Sequence, residues 1–139
     1  MNPQSTGNKG AKVSDFMHRE MKTIASDASL REAGQAMSDN RVGALLVVRG
    51  NEYVGIISEK RLTREGMAKG LNPETTQVQA IMRPEPIAID GECSVKEAQA
   101  MMKNRGVRHL VVTQNGQIVG IVSVSDLIRF YSDFFDESQ

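Results

Sequence analysis

The feature that most constrains this chain is an internal repeat. Superimposing Ser29 on Ser94 sets an offset of 65 residues, and the register then holds without a gap from 29–64 onto 94–129. Thirteen of those 36 pairs are identical: Ser29, Glu32, Ala33, Met37, Val42, Leu45, Val47, Val54, Gly55, Ile56, Ser58, Leu62 and Arg64, each with its counterpart 65 residues on. Upstream, Val13 falls on Val78 and Met17 on Met82 at the same offset. Between those points the reading places compensating insertions, so that Ile24-Ala25 answers Ile87-Ala88. The 139 residues therefore form one unit of about 55 residues made twice. The expected division is a polar tail over 1–10, a first copy over 11–66, a linker over 67–75 around Asn72-Pro73, a second copy over 76–130, and an acidic helix end over 131–139.

Both copies read in the same order. A short apolar stretch (Thr23-Ile24-Ala25; Pro86-Ile87-Ala88-Ile89) precedes a capping box, Ser29-x-x-Glu32 or Ser94-x-x-Glu97, in which each end satisfies an orphan N–H of the other. Leu30, Ala33 and Met37, and likewise Val95, Ala98 and Met102, recur at the spacing of one helix face. The helix ends near Asn40 in the first copy and near Asn104–Gly106 in the second, where glycine suits a left-handed cap. Two β-rich runs follow, joined at Gly50-Asn51 or Asn115-Gly116, the chemistry of a tight hairpin. Ser58 or Ser123 then opens a second helix. The order is β-α-β-β-α, twice. The strands are apolar on both faces, so each unit alone leaves a greasy sheet face, and the expected α/β (α+β) architecture packs the two units sheet to sheet.

Charge and composition exclude several functions. Seventeen Lys and Arg balance seventeen Asp and Glu, which leaves no global field to draw nucleic acid or an anionic membrane. The longest mostly apolar run, Ile118 to Val124, is broken by Gly120 and Ser123 and is too short to span a bilayer. Residues 1–10 lack the apolar core of a secretory signal. The single Cys93 closes no internal disulfide and fits a reduced, cytoplasmic setting; with two histidines it leaves almost no room for a zinc site of the usual Cys/His kind. No Ser/His/Asp set, reactive Cys/His pair or glycine-rich phosphate loop assembles from the sequence, so no catalytic residue, metal or required cofactor is expected.

The repeated order, with the phrase Gly120-Ile-Val-Ser123-Val-Ser-Asp126-Leu127, resembles the cystathionine-β-synthase (CBS) domain. Val13-Ser-Asp-Phe-Met17, Val78-Gln-Ala-Ile-Met82 and Gly106-Val-Arg-His-Leu-Val-Val112 are similar to further phrases of that family, and the likeness covers about 11–130. Two phrases in register, each ending a β-α-β-β-α unit, make the resemblance specific. It implies a tandem pair with pseudo-twofold symmetry, dimerisation, and clefts that take adenosine-containing ligands such as AMP, ADP, ATP, S-adenosylmethionine or NAD. It also implies regulation of another protein; nothing is attached in this chain, so a separate effector is expected.

Within that frame the second copy carries the candidate ligand site. Ser123 ends a buried strand and begins a helix, where hydroxyl and N–H groups suit a phosphate. Asp126 lies three residues on, and the resemblance implies that its carboxylate accepts both ribose hydroxyls, although Ser-x-x-Asp is also a plain capping pair. Arg108-His109 stands where the resemblance implies phosphate contacts, with a structural histidine as the alternative. Ile87 and Ala88 form the implied adenine floor, or simply strand core. The first copy departs from this pattern: Arg61 replaces the acidic residue, and an arginine has five donors and no acceptor. Ser58, Lys60 and Arg61 are then candidate phosphate contacts or a solvated basic turn, while Gly43-Ala44 offers nothing at the other positions. His18, without a partner at catalytic spacing, reads as a helix-surface residue.

Two functions compete on this reading: a regulatory sensor of an adenosine nucleotide, and a ligand-free dimerisation adaptor. Phe130, Tyr131, Phe134 and Phe135 crowd the C-terminal helix, which points to a homodimer.

Overall fold

Ser29 and Ser94 start the two long helices as the capping boxes require. Each serine hydroxyl accepts from the glutamate N–H three residues on at 3.0 Å, and each glutamate carboxylate accepts from the serine N–H at 2.8 Å. The computed structural model describes residues 11–129. Its first sheet holds β1 (Thr23–Ala25), β2 (Ala44–Arg49), β3 (Glu52–Ser58) and β4 (Arg83–Pro84) in that order, with helix α1 (Leu30–Asn40) between β1 and β2. After β3 a single helical turn, α2 (Glu59–Arg61), widens into a π-helical stretch over Leu62–Met67. The second sheet holds β5 (Ala88–Asp90), β6 (His109–Gln114) and β7 (Gln117–Ser123), with α3 (Val95–Arg105) between β5 and β6 and a helix α4 over 124–129. In each sheet the first strand pairs parallel with the second and the second antiparallel with the third. The mixed α/β fold is thus one motif built twice.

The offset of 65 runs unbroken through both copies, which corrects the expected insertions. Thr23 pairs with Leu46 while Ala88 pairs with Val111, so Thr23 answers Ala88 and Ile24 answers Ile89. Ile87 answers Lys22; their carbonyls accept from the Val111 and Leu46 N–H groups, each at 3.0 Å. The apolar Pro86-Ile87 made the strand look one residue early. Partner pairing, not local hydrophobicity, sets the register.

The compact units do not follow the repeat boundary. One comprises Met21–Pro86, and the other joins the described residues up to Glu20 to those from Ile87 onward. The 3₁₀ turn Val13–Asp15 belongs to the first copy by sequence, yet Val13 is fully buried in the second copy's core with Ile89, Val95, Ala98, Met102, Leu110, Val112, Val122 and Leu127. The matching turn Val78–Ala80 buries Val78 among Leu30, Ala33, Met37, Leu45, Val47, Ile57 and Ile81 of the first copy. Each core is therefore completed by the leading segment of the other repeat.

That exchange explains the glycine of the repeated phrase. A Cβ on Gly120 would stand 2.5 Å from the Met17 sulfur and 2.9 Å from the His18 carbonyl oxygen. On Gly55 it would stand 2.6 Å from the Met82 sulfur and 2.7 Å from the Arg83 carbonyl oxygen. The glycines let the leading segment lie directly on the sheet. His18 there exchanges backbone hydrogen bonds with Ile121 at 2.8 and 3.0 Å, so it sits at a sheet edge and not on a helix surface as its sequence context implied. The aromatic residues Phe130, Tyr131, Phe134 and Phe135 lie outside the described residues.

Candidate functional site

Strand register gathers the second-copy candidates at one end of one sheet. Ala88 begins β5, His109 begins β6 and Ser123 ends β7; Ala88 pairs with Val111, and His109 with Ser123. β5 and β7 lie two strand spacings apart across the central strand, about 10 Å, and Ser123 stands a further two residues along, toward the His109 end. Because Val111 bonds toward Ile87, the Ala88 N–H and C=O point away from β6, and Ala88 is exposed. The Ile87 carbonyl is engaged by Val111, and its half-buried side chain packs on the second core. Arg108 is exposed and His109 half-buried beside it.

Asp126 is the focus of this end, only 1% exposed. Its Oδ2 accepts from the Ser123 N–H at 2.8 Å and from the Ser123 hydroxyl at 3.1 Å. Its Oδ1 accepts from His18 Nε2 at 2.8 Å and from the Arg129 guanidinium. With an ionised carboxylate as acceptor, His18 Nε2 must carry the proton. Burial pushes the Asp126 carboxyl up, but the hydrogen bonds from Ser123, His18 and Arg129, and the His18 charge, outweigh it and hold the group below the ordinary aspartate value. Burial, with Arg108 adjacent, pushes the His109 imidazole down, and the Asp126 charge opposes this only in part.

The helix start is less open than the sequence implies. The Val124 N–H donates to the Arg108 carbonyl at 3.0 Å, the Asp126 N–H to the Ser123 hydroxyl at 3.3 Å, and that hydroxyl to Asp126. Ser-x-x-Asp is therefore a working cap here. Asp126 also brings Ser123 and His18 together, but the hydroxyl donates to the carboxylate and not to the imidazole, so the order of a nucleophilic triad is absent.

The first copy presents the same end with opposite chemistry. Ser58 caps its helix by accepting from the Arg61 N–H at 3.1 Å, and the Glu59 N–H donates to the Gly43 carbonyl at 3.0 Å. The half-buried Arg61 then turns its Nε onto the Ile81 carbonyl, in the leading segment lodged on that sheet. Lys60 is exposed. No group of three or more metal-ligating side chains occurs among the described residues, and no helix there is long and apolar enough to cross a membrane.

The CBS domain model matches the sequence twice, over 13–68 and 78–133. The chain belongs to the CBS-domain family. It is 30% identical over 118 residues to an uncharacterised protein of Bacillus subtilis, YlbB, across 84% of this chain and 79% of that one. It is 28% identical to the mitochondrial CBS domain-containing protein CBSX3 of Arabidopsis thaliana, across 91% and 67%. An uncharacterised protein of Methanopyrus kandleri is 27% identical, and there the match spans 63% of the relative's length. Among solved structures, a Burkholderia ambifaria protein with CBS domains superposes with a TM-score of 0.82 at 26% identity, covering 86% of this chain and 93% of that one. A hexameric CBS-CP12 protein from bloom-forming cyanobacteria superposes with a TM-score of 0.79 at 27% identity, covering 92% and 71%.

CBS pairs are in general regulatory, ligand-binding modules and not catalysts. In this pair the structure brings Ala88, Arg108, His109, Ser123 and Asp126 to one end of one sheet, with Ile87 behind Ala88. It adds two residues that sequence reasoning missed. Arg129 had a signal: it stands at i+3 from Asp126 on a helix, within reach of its carboxylate. His18 had none, because 108 residues separate it from Asp126 and only the exchanged leading segment joins them.

Proposed function

We propose that this CBS pair is a regulatory sensor that binds an adenosine-containing nucleotide at the Ala88–Asp126 end of the second sheet. Binding shifts the packing of the unit and passes that change to a separate effector protein. The observation that carries the reading is the convergence at that end. A backbone N–H and C=O at Ala88 suit an adenine edge, a fixed carboxylate at Asp126 suits a ribose diol, and the exposed, basic Arg108 just before the central strand suits phosphate. The first copy carries Arg61 where an acceptor is needed, which supports one strong site per chain. The protein requires no cofactor, works in the cytoplasm, where Cys93 stays reduced, and acts as a homodimer through apolar surface such as Met67 and Ile128, 76% and 58% exposed. A ligand can move the effector only by its differential affinity for two states of the sensor.

The test is a thermal melt with a panel of nucleotides. A native-state ligand at a hundredfold excess over its Kd adds about 2.7 kcal/mol. Each kcal/mol is worth roughly 3–5 °C for a chain near this size. AMP, ADP, ATP, S-adenosylmethionine or NAD should raise the Tm clearly, and guanosine and pyrimidine nucleotides much less. No shift with any adenosine compound at millimolar concentration leaves the ligand-free adaptor as the better account. The full set of internal partners on Asp126 favours that second reading.

A further inference from the structure

The Asp126 carboxylate is hidden from solvent, yet what hides one of its oxygens is itself in water. The side chains of His18 and Arg129 are 59% and 58% exposed, against 1% for Asp126. The two oxygens are also held differently. Oδ2 is bound by the backbone and hydroxyl of Ser123, local groups fixed by the end of β7. Among the described residues, Oδ1 is bound by two side chains, one from the leading segment and one from the next turn of α4. We infer that His18 and Arg129 are internal competitors for the ligand site: they occupy the oxygen that a ribose hydroxyl must reach, and a nucleoside enters by displacing them. This inference rests on the nucleotide reading of Asp126.

The displacement is local. The His18 backbone is anchored to Ile121 by two hydrogen bonds and Met17 is packed on Gly120, so rotation of the imidazole frees Oδ1 without lifting the leading segment. The exchange is balanced, since two N–H donors leave and the two hydroxyls of a diol replace them. Both departing groups return to water, where their hydrogen bonds are remade, which keeps the cost small. The first copy has no counterpart of this device: its Arg61 holds the Ile81 backbone carbonyl, and no carboxylate is uncovered when it moves.

The probe is adenosine itself, which carries no phosphate to attract His18 or Arg129. It is titrated into the ¹⁵N-labelled full chain, following the Ser123 and Asp126 amides, for the parent, His18→Ala, Arg129→Ala and the double variant. Each single variant should bind about twofold to fivefold more tightly than the parent, the worth of one exposed partner on a carboxylate, and the double variant more tightly still. His18→Gln, which keeps a side-chain N–H donor, should return toward the parent; a variant that merely loosens the segment would not. Arg129→Ala alters an exposed side chain outside the leading segment, and so answers the question even where His18→Ala disturbs folding. Unchanged or weaker binding in the variants overturns the competition while leaving the nucleotide site standing. Absence of binding in all of the proteins removes the nucleotide site, and the competition with it.

Discussion

Position 61 in the first copy and position 126 in the second occupy the same place in the repeat, yet they secure the incoming leading segment by opposite means. Arg61 donates to the Ile81 carbonyl, a backbone group that every sequence supplies. Asp126 accepts from the His18 side chain, a group that this sequence had to provide. Both arrangements pin an exchanged segment to a helix start, so both satisfy the fold. They differ in what is left over. Arg61 carries donors only, one of them engaged by the Ile81 carbonyl, whereas the Asp126 carboxylate is an acceptor of the kind the proposed nucleoside needs. One structural task done in two ways thus leaves the two helix starts with opposite chemistry.

The comparison breaks most visibly at the glycines that let the leading segments in. Gly120→Ala should cost about 2–3 kcal/mol, because the new methyl meets the His18 carbonyl as well as the Met17 sulfur and the backbone must move. Gly55→Ala should cost about as much for the same reason. Urea denaturation of the two variants measures this; a loss in one copy alone would mean that the segments are not seated alike.

Next in size is the contrast between Asp126→Ala and Arg61→Ala. Asp126 is a buried carboxylate that anchors Ser123, His18 and Arg129, so its removal should cost about 2 kcal/mol. Arg61→Ala frees one half-buried hydrogen bond and should cost about 1 kcal/mol or less. Equal losses would deny the difference in how the two positions work.

A smaller effect separates the ends of the long helices. Both C-caps are left-handed, Arg41 at φ 55° and Gly106 at φ 66°, but only the second uses the residue that adopts this conformation without cost. Arg41→Gly should therefore stabilise the chain by about 0.5–1 kcal/mol, read in the same denaturation series.

The smallest effect is on pH dependence. His109 is held below its ordinary value of 6.5 by burial and by Arg108. The unfolded chain consequently takes up that proton first, and stability should begin to fall as the pH drops below about 6.5. Asp126, held below 3.8, keeps its contribution until the pH passes under that value, and loses it only as the pH falls through its own lower pKa. Melting curves between pH 8 and pH 3, compared with His109→Gln, should show the upper arm flatten while the lower arm stays.

How much of this was readable in the residues follows from distance along the chain. The capping boxes, the hairpin turns and the β-α-β-β-α order depend on neighbours within a few positions, and the identical pairs at an offset of 65 placed them correctly. The register of β1 and β5 did not come out, because a two-residue apolar context cannot say which residue faces Leu46 or Val111. That the second-copy candidates, from Ile87 to Asp126, gather at one end of one sheet was legible, since the order of strands and helices places them there. Its internal partners were not. Whether Asp126 meets a ligand or His18 depends on a segment exchanged between repeats, and composition and periodicity carry no trace of that exchange.

The central claim is that one nucleotide binds per chain, at the end of the sheet that carries Asp126. Isothermal calorimetry with AMP on the parent, Asp126→Asn and Arg61→Ala tests it most directly. The account predicts one site per chain in the parent and one of similar affinity in Arg61→Ala. In Asp126→Asn the affinity should fall by about 10- to 150-fold, the loss of a charged hydrogen bond. Two equal sites per chain, or an Asp126→Asn protein that binds AMP like the parent, would contradict it.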